Sequence, residues 1–173
     1  MSPRTLVAGI GNIFFGDDGF GVEVAQRLSR EPLPEGVEVV DVGIRGVHLA
    51  YQLLDGYDLL VLVDAIARGL EPGTVTVIEP DVDALCAAAD PTLIPVLDAH
   101  KLDPAALLVS ARAMGAQAGR TLVVGCEPER VDEGIGLSAR VELAVDRAVA
   151  VVLELVRPPQ PEREMAAASE ERK

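Results

Sequence analysis

Five short apolar, β-branched runs mark the chain: residues 5–10, 37–42, 59–64, 74–79 and 121–125. Leu59, Leu60, Val61, Leu62 and Val63 are apolar without alternation. A strand covered on both faces reads that way, as in a parallel sheet with helices on each side. Thr74, Val75, Thr76 and Val77 alternate, which predicts an edge strand. Helical periodicity separates the runs. Phe20, Val24 and Leu28 recur every fourth residue, and Asp17 or Asp18 can cap that helix. His48, beside Val47 and Leu49, falls early in a second helix and reads as structural. Asp103 followed by Pro104 predicts a helix start, with Asp as cap and Pro at the first helical position; that helix runs to about Met114 and ends at Gly115. After Ser138 a long helix carries the stripe Val141, Val145, Ala148, Val149, Val152 and Val156.

Strands alternating with helices predict a three-layer α/β fold: a twisted, mostly parallel five-stranded sheet with helices on both faces. Residues 1–157 read as one domain. Residues 158–173, rich in Pro, Glu, Arg and Ala without apolar periodicity, read as a disordered tail. Residues 81–100, with Pro91 and Pro95, read as the least regular interior segment.

Composition narrows the function. The chain has 173 residues, 49% hydrophobic and 25% charged, with a formal net charge of −13. A surface that acidic argues against nucleic acid and anionic membranes as partners. No run approaches the ~20 apolar residues of a membrane span. Residues 1–4 lead directly into the first strand without the apolar stretch of a signal peptide. Cys86 and Cys126 form no CxxC pair, which argues against a disulfide framework or structural zinc and fits a cytoplasmic protein.

In an open parallel sheet, ligands sit beyond the carboxyl ends of the strands. The polar residues predicted there are Asp17 and Asp18 after the first run, Asp41 after the second, Asp64 after the third, and Glu127 after the fifth. His100 closes the irregular segment, just before the capped helix. Asp18, Asp64 and His100 can therefore meet at one sheet edge. Two carboxylates and one imidazole, with positions left open, suit a borderline divalent metal such as nickel or zinc. Each residue also has a structural reading: Asp18 as a helix cap, Asp64 as a strand-end cap, His100 as a hydrogen-bonded structural residue. Cys126, at the end of a buried strand, reads as a small core residue. Gly9 and Gly11 suggest a dinucleotide fingerprint, but Phe14 stands where its third glycine belongs, and Asp17 and Asp18 would repel a pyrophosphate. Neither Ser110 nor Ser138 lies in GxSxG, which argues against a serine hydrolase.

Five motifs, in this order and spacing, resemble one family. They are residues 9–21, Gly-Ile-Gly-Asn-Ile-Phe-Phe-Gly-Asp-Asp-Gly-Phe-Gly; Asp41-Val42-Gly43 with Gly46; Val63-Asp64-Ala65 followed by Pro72-Gly73-Thr74; His100 with Leu102 and a helix; and Gly125-Cys126-Glu127-Pro128 leading to Gly136-Leu137-Ser138. Over about Leu6 to Val156 the chain resembles the hydrogenase maturation proteases. The resemblance implies an endopeptidase that removes a C-terminal extension from the nickel-loaded large-subunit precursor of a [NiFe] hydrogenase. Nickel in the substrate would be the recognition signal, with no organic cofactor. The family's metal-contacting residues fall on Asp18, Asp64 and His100. Asp18 stands where many members carry Glu, a reach shorter by one methylene. The resemblance also implies an acidic residue beside the site at Asp41, so Asp18, Asp41 and Asp64 are the candidates for the aspartic-type chemistry. Water could be activated by the metal or by Asp41 or Asp18. A zinc hydrolase using the same three residues and a non-catalytic nickel-dependent checkpoint factor are the competing readings. With no apolar helix face left over, a monomer is expected.

Overall fold

A computed structural model describes residues 3–89 and 103–157. The predicted tail, 158–173, lies outside the described residues, as does His100.

The chain forms strands β1 (Thr5–Ile10), β2 (Val37–Gly43), β3 (Tyr57–Ala65), β4 (Val75–Ile78) and β5 (Ala118–Cys126). They make one sheet in the order β2-β1-β3-β5-β4. All neighbours are parallel except β4, which runs antiparallel to β5 at the edge. The helices are α1 (Phe20–Leu28), α2 (Gly46–Gln52), α3 (Val82–Ala88), α4 (Pro104–Ala113) and α5 (Ala139–Leu155). A 3₁₀ turn, Gly16–Gly19, leads into α1.

Two cores follow from strand alternation. Val7, Val61, Val63, Val124 and Cys126 pack against Phe20, Val24 and Leu28 of α1 and the predicted stripe of α5. Leu6, Ala8, Ile10, Leu60, Leu62 and Val123 face Leu49 and Ala50 of α2 and Leu107, Leu108 and Ala111 of α4. Residues 60–63 of β3 are fully buried, as expected of a central strand covered on both sides. Arg27 of α1 pairs with Glu142 and Asp146 of α5, joining the two helices of one face at the surface. Among the described residues, no helix is long and apolar enough to cross a membrane.

Two expectations are corrected. Part of the irregular segment, Val82–Ala88, is helical: Asp81 accepts a hydrogen bond from Ala84 N (2.9 Å) and caps a Leu/Ala-rich turn that ends before Pro91. Neither Asp17 nor Asp18 caps α1. Gly19 holds the cap position with no side-chain bond, because both carboxylates are engaged elsewhere. By contrast, Asp103 caps α4 as predicted, accepting from Ala105 N at 3.0 Å.

Helix α1 lies against the sheet at glycine contacts. A Cβ on Gly9 would stand 2.1 Å from the Gly21 carbonyl oxygen, and one on Gly21 would stand 2.2 Å from the carbonyl oxygens of both Ile10 and Val63. Backbone on both sides cannot yield as a flexible side chain would. Gly21→Ala should therefore cost about 3 kcal/mol, the upper end for overpacking, and lower Tm by roughly 6–12 °C. A thermal melt against wild type checks this.

Candidate active site

The turn between β1 and α1 sends two adjacent acids to different fates. Asp17 is fully buried. Its Oδ2 accepts from Glu129 N (2.8 Å), Arg130 N (2.9 Å) and the Ser138 hydroxyl (2.9 Å), and its Oδ1 from Ser138 N (2.6 Å). Burial pushes its proton affinity up, but the donors from Ser138, Arg130 and Glu129 outweigh that and hold the carboxyl below its ordinary value. Asp17 is thus a hub, charged at neutral pH, that pins the β5–α5 loop to the β1–α1 turn. Ser138 precedes α5 without capping it, since its hydroxyl is given to Asp17.

Asp18 has different surroundings. One carboxylate oxygen accepts from Asn12 N at 2.8 Å. Burial outweighs that one bond, so its proton affinity is raised. Asp64, at the end of β3, is 5% exposed. Burial pushes its carboxyl well above the ordinary range, the charge of Asp18 pushes it further, and Asp103 adds to the effect. The Ala65 N–H, donating to Oδ1 at 2.8 Å, offsets only part. Asp18 and Asp64 therefore act as one electrostatic unit, with the start of α4 close by.

Asp41 is held apart from this pair. It lies in register with Gly9, whose missing side chain faces α1, and its Oδ2 accepts from Gln26 of α1 at 3.2 Å. Asp64 follows Val63, which packs on the α1 side, so strand alternation turns Asp64 to the opposite face. Among the described residues, no cluster of three His, Cys, Asp or Glu side chains has the spacing of a metal site. The third member of the predicted set, His100, lies outside them.

Two further positions shape the edge. Glu127 is buried, and its carboxylate accepts from Arg68 N (2.7 Å) and Gly69 N (3.2 Å), fixing the loop after β3. Cys126 is a buried core residue whose thiol is pushed up to about 11, first by desolvation, so it carries no thiolate near neutral pH. The organising role of Asp17 was not read from sequence. The only signal was the doubled acid itself, since one cap position cannot use both.

The two acids make opposite predictions for stability. Asp17 binds protons less readily folded than unfolded, so it stabilises above pH ~4 and that contribution fades as pH falls through its lowered folded value. Asp17→Asn places an amide N–H₂ among converging donors and should cost about 3 kcal/mol at pH 7. Asp64 is the reverse. Its raised folded value makes it destabilising once pH exceeds ~4. Asp64→Asn should raise the Tm of the metal-free protein at pH 7 and have little effect below pH 4. Melts at both pH values check both signs.

Comparison with known proteins bears on the family and the fold. The family described as hydrogenase maturation protease (HycI) matches residues 22–155. The hydrogenase expression/formation protein HupD of Rhizobium leguminosarum is 34% identical over 159 residues, covering 90% of this chain and 75% of its own. The structure of a hydrogenase 2 maturation peptidase from a Thaumarchaeota archaeon superposes with a TM-score of 0.67 at 34% identity, over 88% of this chain and 97% of that one. The hydrogenase maturating endopeptidase HybD of Escherichia coli gives a TM-score of 0.70 at 29% identity, over 89% and 92%. With this sheet order and length of match, the chain belongs to the hydrogenase maturation proteases, a family of peptidases.

Proposed function

We propose that this protein is the endopeptidase that removes a C-terminal extension from the nickel-loaded large-subunit precursor of a [NiFe] hydrogenase. The observation that carries the reading is the Asp18–Asp64 pair. Two carboxylates share a largely desolvated edge of the sheet, and each has its charged form disfavoured. Like charges so placed are relieved by a proton or by a cation, and a divalent ion relieves both at once. In this reading the cation arrives with the substrate as its nickel. Asp18 and Asp64 supply oxygen ligands.

His100 supplies the nitrogen. It precedes Asp103 by three residues, a span of at most about 10 Å of extended chain. Asp103 already acts on Asp64 electrostatically. An imidazole on so short a tether can reach the same edge. Two oxygens and one nitrogen suit a borderline divalent ion and leave positions for the precursor's own ligands.

Docking the metal places the scissile bond at the edge, and orientation accounts for much of the barrier reduction. Water adds to the peptide carbonyl, the C–N bond breaks, and the amine leaves with a proton. The group taking the water proton is Asp18 or Asp41, or the nickel lowers the water's own pKa. Asp41 would have to act from the α1 face of the sheet, opposite the one Asp64 takes. Asp17 takes no part in the chemistry, being saturated with hydrogen bonds.

The test is the intact mass of nickel-loaded precursor incubated with wild type, Asp18→Ala or His100→Ala, and of nickel-free precursor incubated with wild type. Loss of a single C-terminal peptide is expected only for nickel-loaded precursor with wild type. Equal cleavage of the nickel-free precursor would overturn recognition by the metal. Cleavage by all three proteins would remove Asp18 and His100 from the site.

A further inference from the structure

Three consecutive apolar residues, Ile13, Phe14 and Phe15, stand exposed in the β1–α1 loop. Phe14 is 57% exposed. The chain has three Phe and no Trp, so placing two of the three in water here is a large outlay of aromatic surface. Across from them the β5–α5 loop exposes Val131 and Ile135, the latter 77%.

These side chains are not on loose backbone. Phe15 and Gly134 form a parallel bridge. Gly16 N donates to Gly134 O and Gly134 N to Phe14 O, both at 2.8 Å, and Asp17 N donates to Arg130 O at 3.1 Å. The Asp17 carboxylate clamps the same loop from below. The apolar side chains are held outward by a fixed pair of loops, which is the preorganisation a binding surface needs.

The surface is continuous with the acid pair. Asn12, immediately before Ile13, donates its N–H to Asp18 and accepts from Phe14 N at its own Oδ1 (3.0 Å). Its charge is one-sided. Glu129, Asp132 and Glu133 are exposed in the β5–α5 loop, against the single cation Arg130, on a chain of net charge −13.

We propose that these paired loops are the docking face for the precursor polypeptide, taking a stretch of apolar side chains flanked by Lys or Arg. The proposal rests on the reading of the acid pair as the precursor-processing site. Apolar anchors on a rigid rim supply affinity, and the acidic flank selects sign and speeds encounter. A metal-bearing substrate is thereby held at two points, its nickel and its polypeptide.

The test measures Kd and cleavage kinetics of nickel-loaded large-subunit precursor with wild type, Phe14→Ser, Ile135→Ser and, as control, Leu143→Ser. Leu143 is 75% exposed on α5 and belongs to neither loop. Phe14→Ser and Ile135→Ser should each raise Kd and KM about tenfold or more while kcat stays within about twofold, and Leu143→Ser should change neither. Wild-type affinity should fall as salt rises. Unchanged Kd in both loop variants overturns the proposal, as does loss of kcat at constant KM. A wild-type dimer in sedimentation that Phe14→Ser dissociates also overturns it, since the surface would then belong to a second copy. Wild type that binds the precursor without shortening it overturns the peptidase reading alone. The loop variants' Kd then still decides the docking face.

Discussion

The site depends on one buried carboxylate with four hydrogen bonds. Asp17 has no exposure to solvent and no cationic partner among its contacts. A buried anion is tolerable only if its lone pairs are filled, and three backbone N–H groups and one hydroxyl fill them. The donors come from residues 129, 130 and 138, more than a hundred positions away in sequence. The turn after β1 and the loop after β5 are thereby made one rigid body. Three features of the edge inherit their position from this clamp: Asp18 as the next residue, the apolar rim on both loops, and the start of α5.

The same turn shows how neighbouring acids take different work. Asp17 is surrounded by donors, and its charged form is favoured. Asp18 is desolvated by burial and has a single backbone donor, so its charged form is disfavoured. The difference lies wholly in surroundings, since the side chains are identical. It separates scaffold from chemistry at a resolution of one residue. A hub whose charged form is held by its donors sits beside a group whose charged form is disfavoured. The close glycine contacts of α1 with β1 and β3 let both be reached, since the helix start must press close to the sheet.

Much of this was legible in sequence, for reasons that can be named. Unbroken apolar residues in β3 gave the central strand, because burial on both faces removes alternation. The edge position of β4 followed from its alternation. The Asp103–Pro104 signal set the start of α4, because capping is a local interaction. Strand ends were less legible. β3 begins at Tyr57, where the ring stacks with Arg4 and the hydroxyl meets Glu38, contacts made between elements. α3 was missed because Pro91 and Pro95 coloured a longer window than they govern. The placement of Asp64 was readable from its position at the carboxyl end of an unbroken apolar run, where ligands of a parallel sheet sit. The split between Asp17 and Asp18 was not, because it depends on donors supplied by a distant loop. The same holds for the separation of Asp41, which follows from register with Gly9 and a bond to Gln26.

The arrangement has a consequence for selectivity. A desolvated acid pair alone would attract any small divalent cation, and an apolar rim alone would hold many polypeptides weakly. Placed on one rigid edge, with Asn12 bonded to both, they reward a ligand that presents metal and polypeptide together. The second contact is then intramolecular and costs little further entropy. A free metal ion gains nothing from the rim, and a metal-free chain gains nothing from the acids. In the proposed reading, this discriminates a loaded precursor from an empty one before any bond is broken. Burial of Asp64 sharpens the distinction, because an unrelieved pair holds protons more readily and a neutral carboxyl is a poor ligand.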